Sequence, residues 1–138
     1  MNTHFYRRIV SFSFLVSAMV ITAYATTTTT PNIGEQIYAK ACSNCHAPSK
    51  AKAIHAPAAF DQKAWAARLA NAKSKSGKGT PYPTAYDYLV HHVQTGHGLM
   101  QHNGLCPESN LPTSTCSKDN YIAAIKYMAG QSQSTQNK

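Results

Sequence analysis

Two cysteines and a histidine form the most informative group in the sequence: Cys42, Cys45 and His46 stand in the pattern C-x-x-C-H. This spacing is the sequence form of c-type haem attachment. On one turn of helix both thiols project to the same side, so each can add to one vinyl group of a single porphyrin. The adjacent imidazole then falls under the iron and can serve as its proximal ligand. The pattern therefore predicts covalent haem c, with the iron held by His46.

Two other kinds of site also use closely spaced cysteines. A thioredoxin-like redox pair needs a C-x-x-C that follows a strand in a βαβ pattern, but residues 35–41 are helical in character and no strand precedes them. A zinc site needs two further ligands, for which Cys106 and Cys116 are candidates. The sequence alone leaves both alternatives open and favours haem.

A haem iron held by His46 has a sixth coordination position that is either filled or open. Once the first 25 residues are removed, Met100 and Met128 are the only thioethers. Met128 lies on the periodic face of a predicted terminal helix, where a methionine usually packs. Met100 follows a glycine-rich turn in a segment with no regular pattern to bury it. We therefore predict Met100 as the sixth ligand.

Four histidines near Met100 compete for this position: His91, His92, His97 and His102. The first two fall on an amphipathic helix, where such a pair is usually exposed. His97 or His102 remains a candidate for the sixth ligand, and an open site is the third possibility. A Met/His-ligated iron exchanges electrons and does not bind substrate, whereas an open site is typical of a haem sensor or a peroxidase-like protein.

The N-terminal segment has the features of an export signal. Arg7 and Arg8 precede the apolar run 9–21, and Ala23-Tyr24-Ala25 satisfies the small-x-small rule for cleavage. Cleavage would leave eleven basic and five acidic residues, a net charge near +6. We predict a signal peptide over residues 1–25 and a periplasmic protein. An uncleaved membrane anchor is the alternative, although residues 9–25 are slightly short of a span and contain serines and a threonine.

Basic residues are concentrated in the first half of the mature chain. They are Lys40, Lys50, Lys52, Lys63, Arg68, Lys73, Lys75 and Lys78. The plain interpretation is a solvated face. The functional interpretation is a positive patch near the haem edge that steers docking to an acidic protein partner. Nucleic acid is a poor fit for an exported chain.

Hydrophobic periodicity predicts an all-α chain without convincing strands. We expect helices over residues 33–41 (running into the C-x-x-C-H turn), 62–72, 85–94 and 118–129. Asp61, Thr84 and Ser117 are the predicted N-caps of the last three helices. Residues 47–60 are predicted to form a loop that wraps the haem. The expected organisation is a flexible leader over 26–32, one domain over 33–130 and a polar tail over 131–138.

The sequence resembles the class I c-type cytochromes and, within them, the cytochrome c5 family. The matching elements are Gly34…Tyr38, Cys42-x-x-Cys45-His46, Ala56-Pro57, Trp65-x-x-Arg68, Gly98-x-Met100, Gly104-x-Cys106…Cys116-Ser117 and Ile125-x-Tyr127-Met128. They span nearly the whole mature chain. The resemblance implies a small fold of three to four helices around one haem, with the first and last helices crossed at Gly34. Two departures are Gln101, where the family usually has proline, and His55, where glycine is common.

The resemblance also implies roles for residues outside the C-x-x-C-H motif. Cys106 and Cys116 would form a disulfide that braces the segment carrying the methionine. Trp65 and Arg68 would lie close to the haem propionates, although plain core packing is an equal alternative for the tryptophan. The backbone carbonyl of Pro57 would accept the second N–H of the ligand imidazole.

The function implied by the resemblance is that of an exported mono-haem protein that carries single electrons. Its partners would be redox proteins of a respiratory chain, for instance a respiratory complex or a terminal oxidase, met over a small interface. The protein would not itself be an enzyme. A haem sensor or peroxidase-like protein with an open sixth site is the alternative function.

Overall fold

A computed structural model describes residues 32–131, so the predicted signal peptide and nearly all of the predicted leader and tail lie outside the described residues. The α-helices of this part are α1 (Ile33–Ile37), α2 (Ser43–His46), α3 (Pro48–Ala51), α4 (Gln62–Ser74), α5 (Ala85–Thr95) and α6 (Lys118–Met128). Residues 32–131 contain no strand beyond an isolated bridge between His97 and Met100. The all-α prediction is confirmed. No helix in this range has the length and apolar character to cross a bilayer.

The helix that carries the C-x-x-C-H motif has an irregular middle. Asn32 begins α1 by accepting the backbone N–H of Glu35 at 2.9 Å. A π-helical turn, Tyr38–Cys42, then joins α1 to α2 without a break. Such wider turns are rare and often occur at functional sites. Here the turn ends at Cys42, the first cysteine of the motif, and α2 then carries Cys45 and His46.

The three predicted N-caps are present at the starts of α4, α5 and α6. The side chains of Asp61 and Ser117 each accept the backbone N–H of the residue three positions on. Thr84 forms a reciprocal capping box with Asp87, whose carboxylate accepts the backbone N–H of Thr84 at 2.8 Å. The ends of these helices differ by only one or two residues from the predicted ends.

The prediction of a loop over residues 47–60 was wrong for its first half. Residues 48–51 form α3, and a 3₁₀ turn, Lys52–Ile54, continues it. Pro48 occupies the first helical position, where its fixed φ favours a helix and its missing N–H costs nothing. The short alanine- and lysine-containing run that follows has good helix propensity but is too brief for hydrophobic periodicity to reveal it.

The first and last helices cross at a glycine, as the family resemblance implied. A Cβ atom on Gly34 would lie 2.7 Å from the carbonyl carbon of Ala123 in α6. The rings of Tyr38 and Tyr127 pack beside this crossing with their centroids 5.5 Å apart. The exposed ring of Phe60 covers both tyrosines. The crossing therefore fixes the helix that bears the cysteines against α6.

Candidate haem site

Two adjoining cavities lie beside the C-x-x-C-H motif, with volumes of about 40 and 320 Å³. Both are bordered by Cys45, His46, Val93, Met100, Ile125 and Met128. Cys42 borders the smaller cavity, whose other walls are mostly apolar. The larger cavity lies within the range of about 300–1,000 Å³ that is usual for cofactor sites. The structure thus places Cys45, His46 and Met100 on the walls of both cavities.

The imidazole of His46 is held in one orientation by the backbone. Its Nδ1–H donates to the carbonyl oxygen of Pro57 at 2.8 Å, the contact that the family resemblance implied. Nε2 is left as the nitrogen that can bind a metal. Burial, together with the charge of Arg68, outweighs this hydrogen bond and lowers the pKa of His46, which favours the neutral form required of an iron ligand.

The chemistry of the thiols does not suit a redox pair. Cys42 and Cys45 are unbonded, and burial raises the pKa of Cys42 to about 12. Redox-active cysteines of the C-x-x-C type have a lowered pKa instead, because the thiolate is the reactive form. The raised value therefore argues against the thioredoxin-like interpretation.

The structure also argues against a zinc site, because two of the candidate zinc ligands are bonded to each other. The sulfur atoms of Cys106 and Cys116, its candidate third and fourth ligands, lie 2.08 Å apart and form a disulfide. Within residues 32–131, no group of three or more His, Cys, Asp or Glu side chains is placed to hold a metal ion. The disulfide borders neither cavity, and its first cysteine follows the predicted ligand methionine by six residues in the chain.

Met100 lies at the end of a tight turn that two backbone hydrogen bonds with His97 close. Its N–H donates to the carbonyl of His97 at 3.0 Å, and the N–H of His97 donates back at 3.1 Å. Gly96 ends α5 with φ +79°, and a Cβ atom there would lie 3.1 Å from the carbonyl oxygen of Met100. The turn therefore depends on a glycine at this position, both for conformation and for space.

Of the four histidine rivals of Met100, two border the larger cavity, His92 and His97. His97 lies on its wall, whereas His102 borders neither cavity and has its ring Nδ1 2.8 Å from the side-chain nitrogen of Asn103. Met128 borders both cavities, but it is buried in the packed face of α6, the position expected for a core methionine.

Trp65 and Arg68 both border the larger cavity, on α4. The indole N–H of Trp65 donates to the carbonyl of Ala58 at 2.8 Å, and the ring packs 5.9 Å from that of His46. The only hydrogen-bond donor of the indole is thus already used within the protein. Arg68 is exposed at the cavity mouth and has no ion-pair partner within residues 32–131.

The sequence did not predict the partial burial of His92 beside the larger cavity. The pair His91-His92 was expected to be exposed, but both side chains are half-buried, and His92 borders the larger cavity. Its Nε2 is the only buried side-chain nitrogen or oxygen without a hydrogen-bond partner among the described residues. Helical spacing could have indicated this burial, because residue 92 is three positions after the buried Leu89 and therefore shares its helix face.

The comparisons with known proteins agree with this geometry. Residues 29–128, most of the chain, match the family described as cytochrome C oxidase, cbb3-type, subunit III. Searches of curated proteins and of solved structures returned no match. The matched family is a c-type haem-binding domain. The chain therefore belongs to the cytochrome C oxidase, cbb3-type, subunit III family and is a class I c-type cytochrome that binds covalent haem c.

Proposed function

We propose that this protein is an exported mono-haem electron carrier, with Cys42 and Cys45 as the attachment sites and His46 and Met100 as the axial ligands. The observation that carries the proposal is the shared cavity wall. One helix presents both thiols and an imidazole already oriented by Pro57, and a separate turn presents the thioether. The protein itself catalyses no reaction on a substrate.

Haem c supplies reversible one-electron exchange between Fe(II) and Fe(III) when it is bound. The two thiols would hold it through thioethers, each formed by addition of the S–H across one vinyl double bond, and the carbonyl of Pro57 would keep the neutral His46 oriented for coordination. Val93, Ile125 and Met128 contribute apolar walls to both cavities. If His46 and Met100 both bound the iron, no position would be left for a substrate, which would suit electron transfer.

The partner proposed here is an acidic surface of a respiratory oxidase or another redox protein. All eight basic residues named above are exposed, and none forms an ion pair within residues 32–131. Lys40, Lys50 and Lys52 flank the cysteines of the motif along the chain. Unpaired positive charge beside the attachment site favours fast, salt-sensitive docking.

Export to the periplasm and membership of the cytochrome c5 group are further parts of the proposal. Export rests on the features of residues 1–25, and the mature chain would then begin at Thr26. The c5 relation rests on the second cysteine pair, Cys106 and Cys116, which follows the ligand methionine. The intact mass of the protein recovered from a periplasmic fraction tests the cleavage site.

Ligand identity is tested by two methionine variants of the matured protein. Met100→Ala should abolish the near-infrared sulfur-to-iron band of the ferric protein and allow the ferrous protein to bind carbon monoxide quickly. Met128→Leu is the matched control, because it borders the same cavities but should leave both properties unchanged. Rapid carbon monoxide binding by the unaltered protein would instead support the haem sensor or peroxidase-like alternative.

A further inference from the structure

The chain just before α4 contains a short segment, residues 57–60, whose backbone is bonded to the predicted iron ligand. The carbonyl of Pro57 accepts the Nδ1–H of His46 at 2.8 Å. The N–H of Ala59 donates to the backbone carbonyl of His46 at 2.7 Å. Segment 57–60 therefore holds this histidine by its side chain and by its backbone, so the position of the segment decides the orientation of the imidazole.

Phe60 ends this segment in a backbone conformation that a phenylalanine rarely adopts. Its φ is +68°, in the left-handed region that favours glycine. Its N–H donates to the backbone carbonyl of Met128, the last residue of α6, at 2.6 Å. The end of segment 57–60 is therefore bonded to α6, while its beginning is bonded to His46.

The ring of Phe60 contacts both the first and the last helix. Its centroid lies 5.9 Å from that of Tyr38 in the π-helical turn and 5.2 Å from that of Tyr127 in α6. Both pairs are edge-to-face, which is a favoured geometry for aromatic rings. Phe60 is nevertheless 50% exposed and borders neither cavity. Burial in the core therefore does not explain why a phenylalanine stands at this position.

Two features of Phe60 would each lower stability if the residue had no other role. A left-handed backbone costs free energy in any residue other than glycine, and half of the apolar ring remains in water. Strained conformations persist where the surrounding contacts impose them, and they cluster at functional sites. Here the contacts that impose the conformation are two tyrosine rings and one carbonyl of α6.

We propose that Phe60 is a positioning residue, whose ring contacts keep the carbonyl of Pro57 within hydrogen-bond distance of His46. This inference rests on the haem site proposed above. A hydrogen bond from the ligand imidazole to a carbonyl raises the basicity of the ligand. A more basic ligand stabilises Fe(III) relative to Fe(II). Loss of the ring should therefore weaken the hydrogen bond and raise the reduction potential.

Three substitutions of Phe60 separate the effect of the ring from that of the backbone in spectroelectrochemical titrations of the haem-loaded protein. Phe60→Ala keeps the strained backbone but removes the ring, and it should raise the reduction potential. Phe60→Gly removes both the ring and the strain, and it should also raise the potential, because the ring contacts are lost. Phe60→Tyr keeps the ring and should leave the potential unchanged.

Proton and nitrogen-15 spectra of the ferrous protein report on the hydrogen bond itself. In Phe60→Ala the Nδ1 proton of His46 should move upfield and exchange faster with water, because its hydrogen bond is weaker. Thr84→Ala is the matched control: it is a neutral change that removes the N-cap of α5, whose side-chain hydrogen bonds are made with Asp87. It should lower stability but change neither the potential nor the Nδ1 resonance.

An unchanged or lower potential in Phe60→Ala would overturn the proposal, and so would an unchanged Nδ1 resonance. A Phe60→Gly variant that matches the unaltered protein would also overturn it, because the ring would then be dispensable, as would an equal shift in Thr84→Ala. If Phe60→Ala fails to mature, hydrogen exchange in the unaltered protein decides: the amide protons of Ala59 and Phe60 must be protected, and exchange at the rate of an unstructured peptide refutes the proposal. Absence of haem absorbance from the unaltered protein would instead refute the proposed function.

Discussion

Replacing Gly34 by alanine will force the first and last helices apart. The new Cβ atom would lie 2.7 Å from the carbonyl carbon of Ala123, closer still to its oxygen, and 3.1 Å from the backbone nitrogen of Ala124. Ordinary contact begins at 3.4 Å, so relieving the contact with the carbonyl carbon alone requires a separation of about 0.7 Å, and the closer oxygen requires more. The atoms in the way belong to a helix backbone and cannot rotate aside.

The expected cost of Gly34→Ala follows from two opposing effects. Overpacking of this kind typically lowers the free energy of unfolding by about 1–3 kcal/mol. Because the new Cβ atom meets backbone atoms, we expect Gly34→Ala to lie near the upper value. Alanine is favoured over glycine within a helix by about 1 kcal/mol, which offsets part of that cost. We therefore expect a net loss of about 2 kcal/mol, or roughly 8–16 °C in Tm for a domain of this size.

Thermal unfolding of the haem-loaded protein, followed by far-ultraviolet circular dichroism, measures this loss. Ala67→Ser is a suitable control, because Ala67 is exposed on α4 and such a change should alter stability by no more than about 0.5 kcal/mol. A Gly34→Ala variant as stable as the unaltered protein, or more stable, would show that the crossing is not as close as described.

Three further predictions concern the elements around the site. The hydrogen bond from Lys118 lowers the pKa of Asp87, so the stability contributed by this carboxylate is fully present above its unfolded-state pKa and is lost as pH falls through its folded-state pKa. Asp87→Asn should therefore destabilise the protein at neutral pH and make its stability depend less on pH in acid unfolding curves. Curves identical to those of the unaltered protein would contradict this. Replacing both Cys106 and Cys116 by serine should cost about 2–3 kcal/mol of unfolding free energy in denaturant titrations. The same variant should weaken the near-infrared band of the ferric protein if the disulfide braces the turn that carries Met100, as the family resemblance implies, and an unaltered band would argue against that role.

Local sequence signals predicted the helix starts well. Asp61, Thr84 and Ser117 each act on backbone groups within three residues, so their effect is readable without knowledge of the fold. The C-x-x-C-H pattern is equally local, because all three side chains lie within one turn of helix. Family resemblance then extended the prediction to distant contacts, such as Gly34 against α6.

Features that depend on tertiary contacts were not predictable in the same way. Ile33, Ile37 and Ala41 are four residues apart, a spacing that an ordinary α-helix also shows, so periodicity could not reveal the π-helical turn Tyr38–Cys42. The burial of His92 Nε2 depends on Tyr88 and His97, and the helix pattern alone did not show that these rings surround it. The helix α3 is shorter than the window over which periodicity can be read.

The mass and absorbance of the tryptic peptide spanning residues 41–50 test the central claim most directly. Cleavage after Lys40 and Lys50 isolates Cys42, Cys45 and His46 in one peptide. Protein matured in a host with cytochrome c assembly machinery should give this peptide with the mass of one haem added and with haem absorbance. An unmodified peptide mass, from protein that is otherwise folded, would contradict covalent attachment at these cysteines.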